Sequence, residues 1–147
     1  MSNTPTGMNT LNNLNNSGQT TTIQHTTVAG GNQSTPDSGP DSTVKGQPVI
    51  PGNPAAGTGT GKGCGSTIDY NPDFEPPTAA DPTKKRPADV GLQHEMTHSD
   101  HFAHGAADSS PATNPNNGDM EEENTINRDN DYRKDRGVPT RADHTVF

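Results

Sequence analysis

His94-Glu95-Met96-Thr97-His98-Ser99-Asp100-His101-Phe102-Ala103-His104 opens with H-E-x-x-H, and the remainder of the chain is read outward from it. On an α-helix, residues four apart lie one turn above each other on the same face. His94 and His98 therefore present two imidazoles to one ion, and this pattern points to zinc. Glu95, beside the first, is placed to take a proton from an attacking water. A helix is predicted from Arg86-Pro87-Ala88-Asp89, where proline suits the first turn and Asp89 faces the positive end of the helix dipole. Its wheel separates Leu92, Met96, Ser99 and Ala103, a core face, from His94, His98 and His101 on roughly the opposite side. Gly105 is the expected terminating residue.

Catalytic zinc takes three protein ligands and keeps a position open. His104 stands at the spacing of the third histidine in H-E-x-x-H-x-x-G-x-x-H, but His101 replaces the glycine that would break the helix. The helix then continues, and His104 points away from His94 and His98. The alternative is a carboxylate from a following helix, and the run Glu121-Glu122-Glu123 offers one, with Glu122 first and Glu121 next. That second helix begins at Met120 and stops before Val138-Pro139, with Ile126 and Tyr132 as its apolar anchors. Arg133 and Arg136 are expected to pair with acidic neighbours. Arg133 or Tyr132 is a candidate to stabilise an oxyanion, and the last residues are expected to be extended.

The surrounding composition is sparse in core material. Of 147 residues, 23% are hydrophobic and 3% aromatic, Trp is absent, and 16 Gly and 14 Pro interrupt the chain. Such chains bury too little apolar surface to offset conformational entropy unless something staples them, and a metal is one such staple. Residues 1–62 show no period of 2 or 3.6, and Asn, Thr, Gly, Ser and Pro dominate them. They are predicted to form a disordered tail or linker, suited to delivery of an effector or to attachment to a carrier. His25 lies there without metal-binding neighbours and is expected to be solvated. From Gly63 the character changes: Thr67, Ile68 and Tyr70 favour a strand that Gly65 opens and Asn71-Pro72 closes. That strand is either an edge strand that pairs with an extended substrate beside the active-site helix or a short structural one. A formal charge of −8 argues against nucleic acid as partner. No apolar run is long enough for a membrane span or a signal-peptide core. The single cysteine, Cys64, excludes an intramolecular disulfide framework and is expected to be a semi-buried or surface thiol.

Four blocks in order carry a family likeness. They are Gly-x-Gly-Ser-Thr-Ile-x-Tyr-Asn-Pro at 63–72, Leu-x-His-Glu-x-x-His-x-x-His at 92–101, Glu-Glu-x-x-Thr at 121–125, and Asn-x-x-Arg-x-x-x-Gly-x-Pro-x-Arg at 130–141. Together they resemble the NleD-like effector zinc metallopeptidases, which occur as type III effectors and as the toxin domains of Rhs-type polymorphic toxins. The resemblance covers residues 63–147 and implies an α+β zincin-like metallopeptidase domain following the tail. It implies zinc held by His94 and His98, Glu95 as general base, and a glutamate of the Glu121-Glu122 pair completing the site. It further implies a protein substrate in a target cell, export by a bacterial secretion system, and a chaperone, carrier or immunity protein as partner. Two rival expectations are a non-catalytic metal-binding interaction module and a degenerate toxin fragment.

Overall fold

Most of the H-E-x-x-H helix is buried. In the computed structural model, which describes residues 3–27, 31–37, 63–78 and 81–146, it runs as α2, Ala88–Ala103, and every residue from Gln93 to Asp100 is buried. Three neighbours enclose it. These are helix α1 (Pro5–Asn16), helix α3 (Met120–Asp135), and a sheet of β1 (Thr21–His25), β2 (Gln33–Pro36) and β3 (Ser66–Tyr70). β3 is central, parallel to β1 and antiparallel to β2, so β2 is an edge strand. The fold is a small α+β arrangement.

The predicted boundaries of α2 hold. Pro87 precedes its first turn, Asp89 lies within that turn, and Gly105 follows at φ +61° after the cap residue His104. The predicted two-faced wheel does not, since Leu92 is only half-buried while Gln93 and Thr97 are fully enclosed. α3 starts on Asp119, whose carboxylate accepts from the Glu122 N–H at 3.0 Å. It ends at Asp135, before Gly137 at φ +66°, two residues ahead of the proline expected to stop it.

The expectation of a disordered tail over residues 1–62 is corrected for residues 3–27 and 31–37; the remainder of that call lies outside the described residues. Thr4 caps α1 by accepting from the Gly7 N–H at 3.1 Å, and Pro5 occupies its first turn. The helix then docks through polar groups. Gln93 Nε2 donates to Thr10 Oγ1 at 2.8 Å in a buried contact, Asn13 Nδ2 to Asp100 Oδ2 at 3.0 Å, and the Thr6 N–H to Asp135 Oδ2 at 2.9 Å. An apolar-periodicity test cannot see such a helix, because its buried stripe is written in Gly7 and Thr10. β1 and β2 escape for the same reason. They add ladder hydrogen bonds to β3, while most of their side chains stay exposed or half-exposed.

The Gly63-x-Gly65 step is explained by crowding. A Cβ on Gly63 would stand 1.5 Å from the Ala103 carbonyl oxygen, and one on Gly65 would stand 2.8 Å from that of Thr20. The apolar core is brief: Ile68, Val90, Met96, Ala103, Ala107, Ile126 and Tyr132. Around it lies a buried ionic cluster in which Asp129 Oδ2 meets Arg133 Nε at 3.0 Å and Arg141 Nε at 3.1 Å. As expected, Arg133 and Arg136 pair with acids, Arg136 reaching Asp89 at 2.9 Å from the start of α2. Residues 141–146 form turns and bends over the site rather than the expected extended end. Cys64 is half-buried and His25 exposed, as anticipated.

Candidate metal centre

α2 brings His94 and His98 together with their Nε2 atoms 3.2 Å apart and their rings edge-on at 88°. α3 supplies the carboxylates. Glu122 Oε2 lies 3.4 Å from His94 Nε2, and its Oε1 lies 3.4 Å from His98 Nε2. Glu121 projects to the other side of the same ring, with Oε1 2.8 Å from His98 Nδ1 and 2.8 Å from His101 Nδ1. A carboxylate accepts only, so both rings donate from Nδ1 to Glu121. Neutral His98 is left with a bare Nε2 aimed at Glu122 and His94. The two neighbouring glutamates thus have different surroundings: Glu122 faces the Nε2 atoms, and Glu121 orients the ring behind one of them.

Charge at the cluster follows from burial and spacing. Burial, helped by the charges of His98 and Arg141, depresses His94 to about 4 against the pull of Glu122. It also works against an imidazolium at His98, but Glu121 and Glu122 override it and raise that ring to about 10. Two imidazolium rings cannot coexist at this separation, so the pair takes up one proton, and His98 holds it. At Glu122, burial raises the carboxyl and the imidazoles of His94 and His98 lower it; the imidazoles win and keep it ionised far below its usual range. Glu121 is likewise raised by burial and pulled down, by His101 and His98, to about 2.

Glu95 stands on the same cavity wall as His94 and His98, in a cleft of about 480 Å³. Burial pushes its carboxyl up to about 7, against the pull of His98 and a hydrogen bond from the Ser34 backbone N–H. Ser34 belongs to β2, whose residues also line the cleft, and its hydroxyl lies 2.8 Å from that of Ser99 on α2. The strand beside this helix and the cleft is therefore β2, from the stretch expected to be a tail. The strand read from the sequence, β3, sits in the middle of the sheet.

The donor set suits a divalent cation: imidazole nitrogens and an ionised carboxylate, with Glu122 Oε2 buried and lacking a hydrogen-bond partner among the described residues. The donor atoms of His94, Glu122 and His144 all lie within 4.8 Å of one another. One adjustment is needed. Arg141 Nη2 donates to His94 Nδ1 at 2.8 Å, which puts the neutral ring's proton on Nε2. Arg141 must turn toward Asp129, already 3.1 Å from its Nε, before His94 Nε2 is free to bind.

His104, the alternative ligand at metzincin spacing, is not brought to the cluster. Its Nδ1 bonds the Asp100 backbone carbonyl at 2.9 Å, its side chain is 47% exposed, and it does not line the cleft. The oxyanion candidates also point elsewhere. Tyr132 donates to Asp89 at 2.7 Å, and Arg133 is fully enclosed between Asp129 and the Pro139 carbonyl. Neither lies on the described wall of the cleft.

His144 is the residue the sequence reading missed. It reaches the cleft from the C-terminal segment, with Nε2 3.5 Å from Glu122 Oε2 and its ring 6.0 Å from that of His94. Asparagines hold the segment in place. Asn130 bonds both the N–H and the carbonyl of Arg141 at 2.8 Å, Asn117 accepts from the His144 N–H at 3.0 Å, and Asn116 donates to Asp143 at 3.0 Å. No motif spacing marks His144; the nearest available signal was the Asn130-to-Arg141 block that anchors its segment.

No helix among the described residues is long and apolar enough to cross a membrane. No curated protein and no solved structure matches the chain. Residues 1–144 match a peptidase family whose description is effector protein, a span that takes in α1, β1 and β2 along with the histidine helix. With nearly its whole length so matched and a His-Glu-His cluster on its cleft, the chain belongs to the Peptidase_M91 effector family, which implies a metallopeptidase.

Proposed function

We propose that the protein is a zinc-dependent endopeptidase of the NleD-like kind, exported by a bacterial secretion system and acting on a protein inside a target cell. The observation that supports this best is the meeting of two elements at one cleft. The H-E-x-x-H histidines and Glu122 meet on its lining, and residues of the edge strand β2 line it too. His94, His98 and Glu122 would hold the ion. Bound there, zinc supplies a Lewis acid that polarises a peptide carbonyl and acidifies water.

The chain's own groups carry the remaining steps. An extended peptide adds to β2 at Gln33–Pro36 through backbone hydrogen bonds, which places a scissile bond over the cleft. Glu95, buried and adjacent to His94, accepts the proton of the attacking water and returns it to the departing amine. Glu121 holds His98 by its Nδ1–H, which would leave Nε2 free to bind the ion. A secretion chaperone, a carrier and an immunity protein are the partners this way of life calls for.

Glu95→Gln tests the reading, with zinc content and proteolysis measured on the same preparations. Zinc near one equivalent in both proteins, with cleavage of a target-cell lysate lost in the variant by about 10²-fold or more, supports the enzyme. Identical behaviour of the two proteins toward every target favours the non-catalytic binding module.

A further inference from the structure

Hydrolysis of an amide places negative charge on the carbonyl oxygen, and a peptidase needs a hydrogen-bond donor or cation where that oxygen lies. The described wall of this cleft carries no Lys, Arg or Tyr; Asn32, Gln33, Ser34, Thr35 and Ser109 supply neutral donors, but the groups that meet Glu122 are imidazoles. Its three imidazoles are those of His94, His98 and His144. The first two are buried and face Glu122 with Nε2. His144 differs in two respects: it enters from the C-terminal segment rather than from α2, and its side chain is 50% exposed. We infer that His144 is a catalytic residue whose Nε2–H meets the carbonyl oxygen of the bound peptide and stabilises the charge that develops there.

Position supports the assignment. His144 Nε2 lies 3.5 Å from Glu122 Oε2, the same oxygen that His94 approaches at 3.4 Å, so it borders the cluster from the side open to solvent. A group that touches both the cluster and incoming substrate has to be partly exposed, as this ring is and those of His94 and His98 are not. The backbone behind it is fixed. Asn117 accepts from the His144 N–H, and the Asp143 carboxylate is held by Asn116 Nδ2 at 3.0 Å and by the Thr145 hydroxyl at 2.6 Å. Such preorganisation makes a single donor effective, because the group is not reordered during the reaction.

The inference rests on the zinc-peptidase reading, and the experiment separates the two. Wild type, His144→Ala, His144→Gln and His98→Ala, each as the full chain, are titrated with zinc against a chromogenic chelator. The zinc-loaded proteins are then titrated with acetohydroxamate, a small anion that binds zinc through oxygen. The expected result is zinc affinity for both His144 variants within about threefold of wild type, with acetohydroxamate bound about tenfold or more weakly by His144→Ala, as loss of a hydrogen bond to a charged group predicts. On any peptide that wild type cleaves, kcat falls with KM little changed, and His144→Gln, which keeps a donor, recovers part of the loss. A drop in zinc affinity of tenfold or more in both His144 variants overturns the inference by making His144 a ligand. Unchanged zinc and acetohydroxamate binding overturns it by making His144 a bystander. Full zinc retention in His98→Ala would instead sink the metal-site reading itself.

Discussion

Zinc binding to this protein should expel one proton, and the geometry says from where. His98 is held protonated up to about 10, its Nδ1–H on Glu121 at 2.8 Å and Glu122 beside its Nε2. Zinc binds only the neutral ring. His94, depressed to about 4 by burial, is already neutral at pH 8, and Glu122 is already ionised, so neither has a proton to give up. At pH 8 His98 is still below its midpoint and mostly protonated, so each zinc should release about one proton. The apparent affinity should rise about tenfold per pH unit from 6.5 to 8.5. Calorimetry in two buffers of different ionisation enthalpy counts the protons, and chelator competition across the range gives the slope. Glu121→Gln keeps an acceptor for Nδ1 but removes the charge, so His98 falls toward its ordinary value and the proton count at pH 8 drops well below one. Zinc binding at pH 8 without proton release, together with an affinity flat from 6.5 to 8.5, would refute this account of the cluster.

Other outcomes follow from the same contacts. Asp129→Asn leaves Arg133 and Arg141 buried without their counter-charge and should lower stability by about 3–5 kcal/mol, read as a shift in the urea midpoint. Thr10→Val deprives buried Gln93 of its acceptor on α1 and should cost about 1–3 kcal/mol; no loss would mean that α1 does not stabilise the histidine helix. Glu95 is pushed up to about 7 by burial, and a nearby cation can only lower it. Because the base must be ionised, kcat/KM should fall as pH drops through an acid limb at or below about 7; a limb above pH 8 contradicts the assignment. Arg141→Met removes the donor on His94 Nδ1 and a buried positive charge, so it should tighten zinc binding, a change that chelator competition measures directly.

Some of this was written locally and some was not. The H-E-x-x-H spacing, Asp89 near the helix start and Gly105 at its end are enough to define α2, because helix periodicity and end chemistry are properties of neighbouring residues. The Glu121-Glu122 run follows the N-cap Asp119, so candidate carboxylates at the start of a second helix were equally legible. Sequence alone left open which glutamate faces the Nε2 atoms. That depends on how α3 rotates against α2, and only their packing sets Glu122 toward the ring tips and Glu121 behind His98.

The N-terminal elements were illegible for a different reason. They attach through Thr10, Asn13 and Ser34, polar side chains that look identical in a solvated tail and in a buried contact until the partner across the interface is known. His144 is the extreme case. No short-range rule selects it, and it becomes part of the site because Asn130, 11 residues away, fastens Arg141 and swings the end of the chain over the cleft. The sequence by itself determined the helix and pointed to the metal-binding type of chemistry that helix could display, since both readings depend on residues one turn apart. The tertiary structure alone decided which carboxylate, which strand and which third histidine meet at the cleft, because those choices depend on contacts between segments tens of residues apart.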